Sequence, residues 1–452
     1  MPNNPPAKCK LPELSGWGRF PRVEQTVVRP EKAAQLAYQS GKTLARGQGR
    51  SYGDAALNSE GVVLLTERLN RFLEFDEKTG VLQAEAGATL ERVLEAMVPR
   101  GWFLPVTPGT KFCSLGGCVA TDVHGKNHHR DGPFSNFVRE IELVLPGGET
   151  VKCSREERAD LYWATVGGMG LTGVISTVTL QLKKIETAYM KVNHRQAANL
   201  DVVFNLLQTP ACDDVYSVCW LDCLAKGKHL GRGVLMTAHH AKRSEIPLMT
   251  RDALKPKFRR QRRIKRDWPT IYLNRFTVGL FNALYYRVQG RRGEFHVDYD
   301  RFFYPLDAVN DWNRMYGKAG FVQYQFVVPT ERAREAVRKA MLLISKFKRA
   351  SFLAVLKRFG PAGKGLLSFP AEGYTLAVDL PVCNALPKLL KRLDEIVLEY
   401  GGRVYLAKDA CLPVPAFKAM YPKLDEFLKV KREVDPENRF SSDLARRLEI
   451  AP

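Results

Sequence analysis

The chain has 452 residues, 45% of them hydrophobic and 26% charged, with a formal net charge of +21. That length exceeds what one hydrophobic core serves, so two or more domains are expected, and the composition excludes a collagen-like or low-complexity chain. No run of ~18 apolar residues occurs, which excludes a membrane-spanning helix, while the positive charge favours polyanions or anionic lipid as neighbours.

The first 180 residues read as short strands and helices between glycine-rich turns. Thr26–Pro30 is strand-like, and Glu31–Ser40 has helical spacing ended by Gly41. Thr43–Arg46 is a short strand running into the loop Gly47-Gln48-Gly49-Arg50-Ser51-Tyr52-Gly53-Asp54. Gly61–Leu65 and Gly80–Gly87 are further strands. Thr89–Arg100 reads as a helix, capped by Thr89, with Leu90, Val93, Leu94 and Met97 on one face. A second glycine-rich region spans Pro108–His124. Ile141–Leu145 and Val151–Cys153 form a hairpin around Pro146-Gly147-Gly148-Glu149. Asp160–Val166 is helical, and Gly167–Gly173 breaks it before the strand Val174–Leu182.

From about 185 to 400 the texture changes. Longer strands (Tyr216–Leu221, Val322–Val328, Leu376–Leu380) alternate with helices such as Glu331–Phe347 and Leu386–Tyr400. This predicts an α+β domain with a largely antiparallel sheet. The remainder, from Arg403, reads as short, basic and rich in turns.

The nine cysteines are scattered, and none forms a C-x-x-C pair suited to zinc, so no metal site is expected. Reduced structural thiols are expected instead. The first 18 residues lack the apolar core of a secretory signal, which points to a cytoplasmic protein or one peripheral to the inner membrane. The densest basic run, Lys255–Arg266, precedes an aromatic-rich stretch, Trp268–Val288. Two readings stand side by side: a lipid-headgroup interface, or a solvated loop followed by an amphipathic helix. No nucleic-acid recognition motif accompanies the charge, so nucleic acid is not expected as a partner.

Glycines at 47, 49 and 53 allow close backbone approach, and successive N–H groups in such a loop form a nest for an anion such as pyrophosphate. The spacing is neither a G-x-G-x-x-G dinucleotide fingerprint nor a Gly-Lys-Ser/Thr phosphate loop. Gly109–Gly125 places small residues where a flat cofactor could pass, and Gly167-Gly168-x-Gly170-x-x-Gly173 supplies a third close-approach segment.

The order R-G-Q-G-R-S-Y-G-D, S-L-G-G-C-V-A-T-D-V-H-G-K-N, W-A-T-V-G-G-M-G-L-T-G-V-I resembles the vanillyl-alcohol-oxidase type of FAD-binding enzyme. H-G-K-N-H-H at 124–129, Q-Y-Q-F-V-V-P at 323–329, L-K-R-F-G at 356–360, L-S-F-P at 367–370, A-K-D-A at 407–410 and the V-D-P…F-S-S-D-L-A-R-R tail narrow the resemblance. Within that superfamily the chain is similar to the decaprenylphosphoryl-β-D-ribose 2′-oxidase family, over nearly its whole length.

The resemblance implies a two-domain α+β fold. Residues 1–187 would form the FAD-binding domain, 188–402 an inserted substrate domain with an antiparallel sheet, and 403–452 a segment returning to the FAD domain. It implies FAD contacts from Arg46, Gly47, Gln48, Gly49, Arg50, Ser51, Tyr52 and Gly53. Further contacts would come from Thr110, Ser114, Gly116, Gly117, Ala120, Thr121, His124, Gly125, Asn127, Gly173, Val174 and Tyr405. Relatives with covalent FAD often carry histidine directly after the loop's G-x-G; Arg50 stands there, so non-covalent FAD is expected.

The implied reaction oxidises the ribose C2′ hydroxyl of a polyprenyl-phosphate sugar to a ketone, and an NADH-dependent keto-reductase partner completes epimerisation to arabinose for the cell envelope. An oxidase of a soluble polyol, sugar acid or lactone is the alternative. Lys408 is the first candidate for holding developing negative charge, with His124 and Lys126 beside it as catalytic candidates. His128 and His129 are expected to do structural work. Tyr52, Tyr304, Gln323, Gln325, Lys357, Phe359, Thr375, Ala377 and Lys408 would line the substrate pocket. The family's mycobacterial members carry a cysteine in G-W-N-I-C-V-D-F-P, where nitroaromatic inhibitors trap it. Here Ala377 replaces that cysteine and Thr375 the asparagine, so no covalent trapping is expected there.

Overall fold

The computed structural model describes residues 7–37, 41–208, 214–247, 252–255, 259–347 and 351–450. Three main sheets organise them. The first has four strands, β1 (Lys8–Ser15), β2 (Arg22–Val28), β3 (Thr43–Arg46) and β4 (Val62–Leu65), in the order β1-β2-β4-β3. β4 is wholly buried and runs parallel to both neighbours, which explains its unbroken Val-Val-Leu-Leu.

The second sheet is antiparallel: β5 (Phe72–Asp76), β6 (Val81–Glu85), β7 (Val138–Val144), β8 (Thr150–Ser154) and β9 (Val174–Gln181), in the order β5-β6-β9-β7-β8. Helix α1 (Leu90–Met97) packs Leu90, Val93, Leu94 and Met97 inward, and the Thr89 hydroxyl accepts from the Arg92 N–H at 3.3 Å. Helix α2 (Leu115–Ala120) is capped the same way by Ser114, whose Oγ accepts from the Gly117 N–H.

The third sheet has eight strands: β10 (Tyr189–Ala197), β11 (Tyr216–Leu221), β12 (Gly233–His240), β13 (Gly293–Asp298), β14 (Phe321–Val328), β15 (Ala354–Phe359), β16 (Gly373–Pro381) and β17 (Arg403–Val404). Their order is β13-β10-β12-β11-β15-β16-β14-β17, and all neighbours are antiparallel. Helix α3 (Arg275–Gly290) packs on β10 and β12, while α4 (Thr330–Lys346) and α5 (Leu386–Glu399) pack together on the β14–β16 side.

Two segments differ from their sequence reading. Glu31–Ser40 is not an α-helix: only Ala33–Ala37 forms a 3-10 turn, and 38–40 lie outside the described residues. Leu36 alone is buried there, so no apolar face exists to hold a longer helix. The tail read as turn-rich instead forms helices at Val414–Met420, Leu424–Val434 and Asp443–Arg447. Its middle helix buries Leu424, Phe427 and Lys431, a basic residue occupying an inner position and masking the period. The Lys431 ammonium donates to Leu171 O, Phe440 O and the Asp435 carboxylate, at 2.7–3.0 Å. The tail runs beside β3, with the Thr43 N–H donating to Arg439 O and the Ser441 N–H to Thr43 O.

Candidate active site

The loop after β3 is shaped by its own arginine. Buried Arg46 donates to Ala56 O (2.9 Å) and Ser15 O (2.6 Å), and burial pulls it down to about 10. The chain then bends at Gly49 with φ of 61°, where a Cβ would meet Arg46 Nη2 at 2.1 Å. At Gly47 a Cβ would lie 2.0 Å from Ser114 Oγ, so the loop presses against the start of α2. The tail closes the far side. The Tyr52 N–H donates to Ala407 O, and a Cβ on Gly53 would fall 1.7 Å from Asp409 O. Arg447 grips both partners, reaching the Asp54 carboxylate at 2.7 and 2.9 Å and Asp409 at 2.8 Å.

Between this assembly and the third sheet lies a cavity of about 350 Å³. Its sheet wall follows strand register. Gln323 on β14 faces Asp379 on β16, Gln325 faces Ala377, and Lys357 on β15 faces Thr375. Tyr405 joins this wall through its N–H to Gln325 O and its hydroxyl to Thr121 O, both 2.9 Å. Lys408 rises beneath Tyr52, with Nζ 3.8 Å from the ring centre.

His124 sits in an aromatic cage, its ring 4.8 Å from Phe359, 5.2 Å from Tyr405 and 5.5 Å from Phe369. Gln325 Nε2 donates to its Nε2 at 2.8 Å and to Thr375 Oγ1 at 3.2 Å. Burial first, then Lys357, His128 and Lys408, push the ring well below the usual histidine range. The neutral ring is favoured, and with Nε2 accepting from Gln325 its proton stands on Nδ1, a buried atom with no protein partner.

Three half-buried lysines share the cavity wall. Burial pulls Lys126 and Lys357 to about 7 and Lys408 to about 8. Lys126 is already engaged by Phe302 O and Phe303 O, and lies 4.3 Å above the Phe302 ring. Burial lifts Asp379 to about 7, against the Gln323 amide, Lys408 and Tyr316. A surplus of cationic side chains on the cavity wall favours an anionic guest.

The cavity collects most of the sequence candidates: Arg46 to Tyr52, Thr110, Ser114, Gly116, Gly117, Ala120, Thr121, His124, Gly125, Lys126, Gly173, Gln323, Gln325, Lys357, Ala377, Tyr405 and Lys408. Six others stand behind the wall. Gly53 abuts Asp409, and Val174 belongs to a small core with Val144 and Leu64. Asn127 donates to Pro105 O and Asp131, Tyr304 bonds Thr107 Oγ1 at 2.6 Å, and Phe359 packs on His124 and His128. Thr375 faces Gln325. Tyr304, Phe359 and Thr375 thereby each support a residue that lines the cavity: Thr107, His124 and Gln325. His128 accepts from the Gly360 N–H, a structural contact.

The sequence reading missed Trp17, Trp312, Asp307 and Val355 on the wall, and Asp379 behind it. Asp379 could have been found, since it alternates with Thr375 and Ala377 on one strand face. Trp17 carries no motif; the structure shows it under Arg50, 4.0 Å from the guanidinium.

This fold and cavity define an FAD-dependent oxidoreductase. Residues 25–154 match the FAD binding domain family, and residues 314–448 match the D-arabinono-1,4-lactone oxidase family. The chain is 38% identical to the decaprenylphosphoryl-β-D-ribose oxidase of Mycolicibacterium smegmatis, over 97% of both chains. It is 23% identical to L-gulono-1,4-lactone dehydrogenase of Mycobacterium tuberculosis over 96% of this chain and 98% of that one, and 22% identical to mouse L-gulonolactone oxidase over 91% and 90%. The chain belongs to the decaprenylphosphoryl-β-D-ribose oxidase family of flavoenzymes.

The residues present fit FAD. Gly47, Gly49, Gly116 and Gly117 line the cavity without side chains, and Arg50 Nε and His124 Nδ1 are buried without protein partners. Among the described residues no cluster of His, Cys, Asp or Glu suits a metal ion.

Proposed function

We propose that this enzyme oxidises the C2′ hydroxyl of a polyprenylphosphoryl-β-D-ribose to the 2′-keto sugar, the first half of epimerisation to arabinose. The observation that carries this reading is the set of three lysines beside His124, Gln323 and Gln325 in the cavity. FAD, when bound, supplies the hydride acceptor. Arg46 to Tyr52 and Ser114 to Gly117 hold the cofactor without a covalent bond. Lys357 and Lys408 hold the phosphate and the negative charge that develops in the reaction. His124 donates from Nδ1 to an oxygen and stays neutral. An NADH-dependent keto-reductase consumes the ketone.

The reading includes peripheral contact with the inner membrane through residues 255–288, of which 256–258 lie outside the described residues. Helix α3 supports it, because its apolar residues face outward. Phe276 is 81% exposed, Leu280 66%, Leu284 60% and Val288 53%, a stripe at every fourth position. The polar Asn282 points inward and donates to Asp222. Trp268, Ile271 and Tyr272 are exposed beside it, rimmed by exposed Arg262, Arg263, Lys265, Arg266, Arg287, Arg291 and Arg292. Apolar wedge and cationic rim match an anionic bilayer surface. No described helix is long and apolar enough to cross a membrane.

The match of residues 314–448 to D-arabinono-1,4-lactone oxidase favours a second reading, oxidation of a soluble sugar lactone. Anaerobic flavin bleaching decides between them. Farnesylphosphoryl-ribose should bleach the flavin; bleaching by a free lactone or polyol alone would overturn the first reading.

A further inference from the structure

Asp379, on the strand segment that carries Thr375 and Ala377, is fully buried behind the cavity wall. Its position is set by register: Gln323 lies directly opposite on β14. Gln323 Nε2 donates to Asp379 Oδ1 at 2.7 Å, and the Tyr316 hydroxyl donates to Oδ2 at 3.3 Å. Tyr316 is itself fixed, stacked on Phe321 with ring centres 4.1 Å apart. Gln323 Nε2 also lies 3.4 Å from the Tyr52 hydroxyl.

A carboxylate only accepts hydrogen bonds, so it dictates which end of a neighbouring amide faces it. Opposite Asp379, Gln323 must turn its nitrogen inward. The polar atom it retains for the cavity it lines is its carbonyl oxygen. A hydroxyl can donate to that oxygen; an ether or a fluorine cannot. Burying a carboxylate among neutral donors is costly, and an apolar pair would fill the space at lower cost. The acid's presence therefore needs a role beyond packing.

We propose that Asp379 is a positioning residue that locks Gln323 as a hydrogen-bond acceptor for a non-reacting sugar hydroxyl, and so sets which sugars are accepted. The proposal rests on the pentose reading above.

The test uses the FAD-loaded enzyme and farnesylphosphoryl-ribose beside its 3′-fluoro and 5′-fluoro analogues. Binding is read from flavin absorbance changes, and kcat and KM from anaerobic reduction. The wild type should bind one fluoro analogue about tenfold more weakly than the parent, the worth of one hydrogen bond. In Asp379→Asn the amide can turn over, so that preference should shrink to about twofold or less, with KM moving more than kcat. Asp379→Glu should restore it. Gln323→Leu should weaken the parent about tenfold, to the level of the fluoro analogue, and so lose the preference, which covers the case in which Asp379→Asn fails to load FAD. Retained discrimination in Asp379→Asn or Gln323→Leu overturns the proposal, as does a wild type indifferent to both analogues. If the ribosyl substrate neither binds nor reduces the flavin, the pentose reading fails. The same variants are then compared on fluoro analogues of whichever polyol or lactone does reduce it, with the same outcomes deciding.

Discussion

The Lys408 ammonium lies 3.8 Å from the centre of the Tyr52 ring, so a glycine-loop residue and a tail residue meet in the cavity wall. Both segments are fixed by backbone: Tyr52 N–H donates to Ala407 O, and Lys408 N–H donates to Tyr405 O. The charge therefore arrives on a rigid support rather than on a mobile surface side chain.

Removing that charge should slow the reductive half-reaction. Lys408→Ala should still bind FAD and lower the anaerobic reduction rate about a hundredfold or more. Unchanged reduction in stopped flow would remove Lys408 from the reaction.

Arg50 sits between Trp17 and Phe112, at 4.0 and 4.9 Å, where a covalently linked relative would place histidine. Acid precipitation should release all the flavin into the supernatant. Flavin retained on the denatured chain would contradict a dissociable cofactor.

Ala377 lines the cavity and offers no thiol. Incubation with a nitroaromatic inhibitor and substrate should leave the intact mass of this residue's peptide unchanged. Ala377→Cys should gain the adduct; an adduct at residue 377 in the wild type is chemically excluded, and failure of the variant to react would mean the site's geometry differs.

The cavity lysines make stability depend on pH in a definite direction. Folded Lys126 and Lys357 titrate at about 7 and Lys408 at about 8, against an ordinary 10.5. Below about 7 both folded and unfolded chains carry these protons, and the penalty for burying them is complete. Between about 7 and 10 the unfolded chain binds more protons, so these groups make stability rise with pH. Calorimetry of FAD-free protein should show Tm increasing over that window, and inorganic phosphate should flatten the rise. A Tm that falls from pH 7 to 10 without ligand would contradict it.

The outward stripe of α3 gives a fifth expectation. The protein should co-sediment with phosphatidylglycerol vesicles, and less so at high salt. Leu280→Glu with Leu284→Glu should abolish that binding while leaving bleaching by a short-tailed substrate intact. Undiminished sedimentation would move the membrane contact elsewhere; a wild type that instead self-associates through this face would assign the stripe to a second copy.

Elements with a clear period or cap were legible from sequence. Thr89 announces α1, and the apolar run of β4 announces a strand. The tail was not legible, because Lys431 takes an inner helical position that only its partners Leu171, Asp435 and Phe440 make tolerable. The glycine loops were legible as segments that gather at one cavity. The state of His124 was not, since it depends on burial and on Gln325, 201 positions away. Asp379 was legible from its alternation with Thr375 and Ala377, but its pairing with Gln323 on the neighbouring strand was not.

The Arg447 clamp has a consequence for how the enzyme is made. Asp54 and Arg447 are 393 positions apart, and the cofactor cradle is walled by both ends of the chain. A growing chain on the ribosome exposes the glycine loop long before Lys408 or Arg447 exists. Flavin loading should thus be a late event in biogenesis, and a product that stops short of the last helix should emerge colourless even with its glycine loop intact.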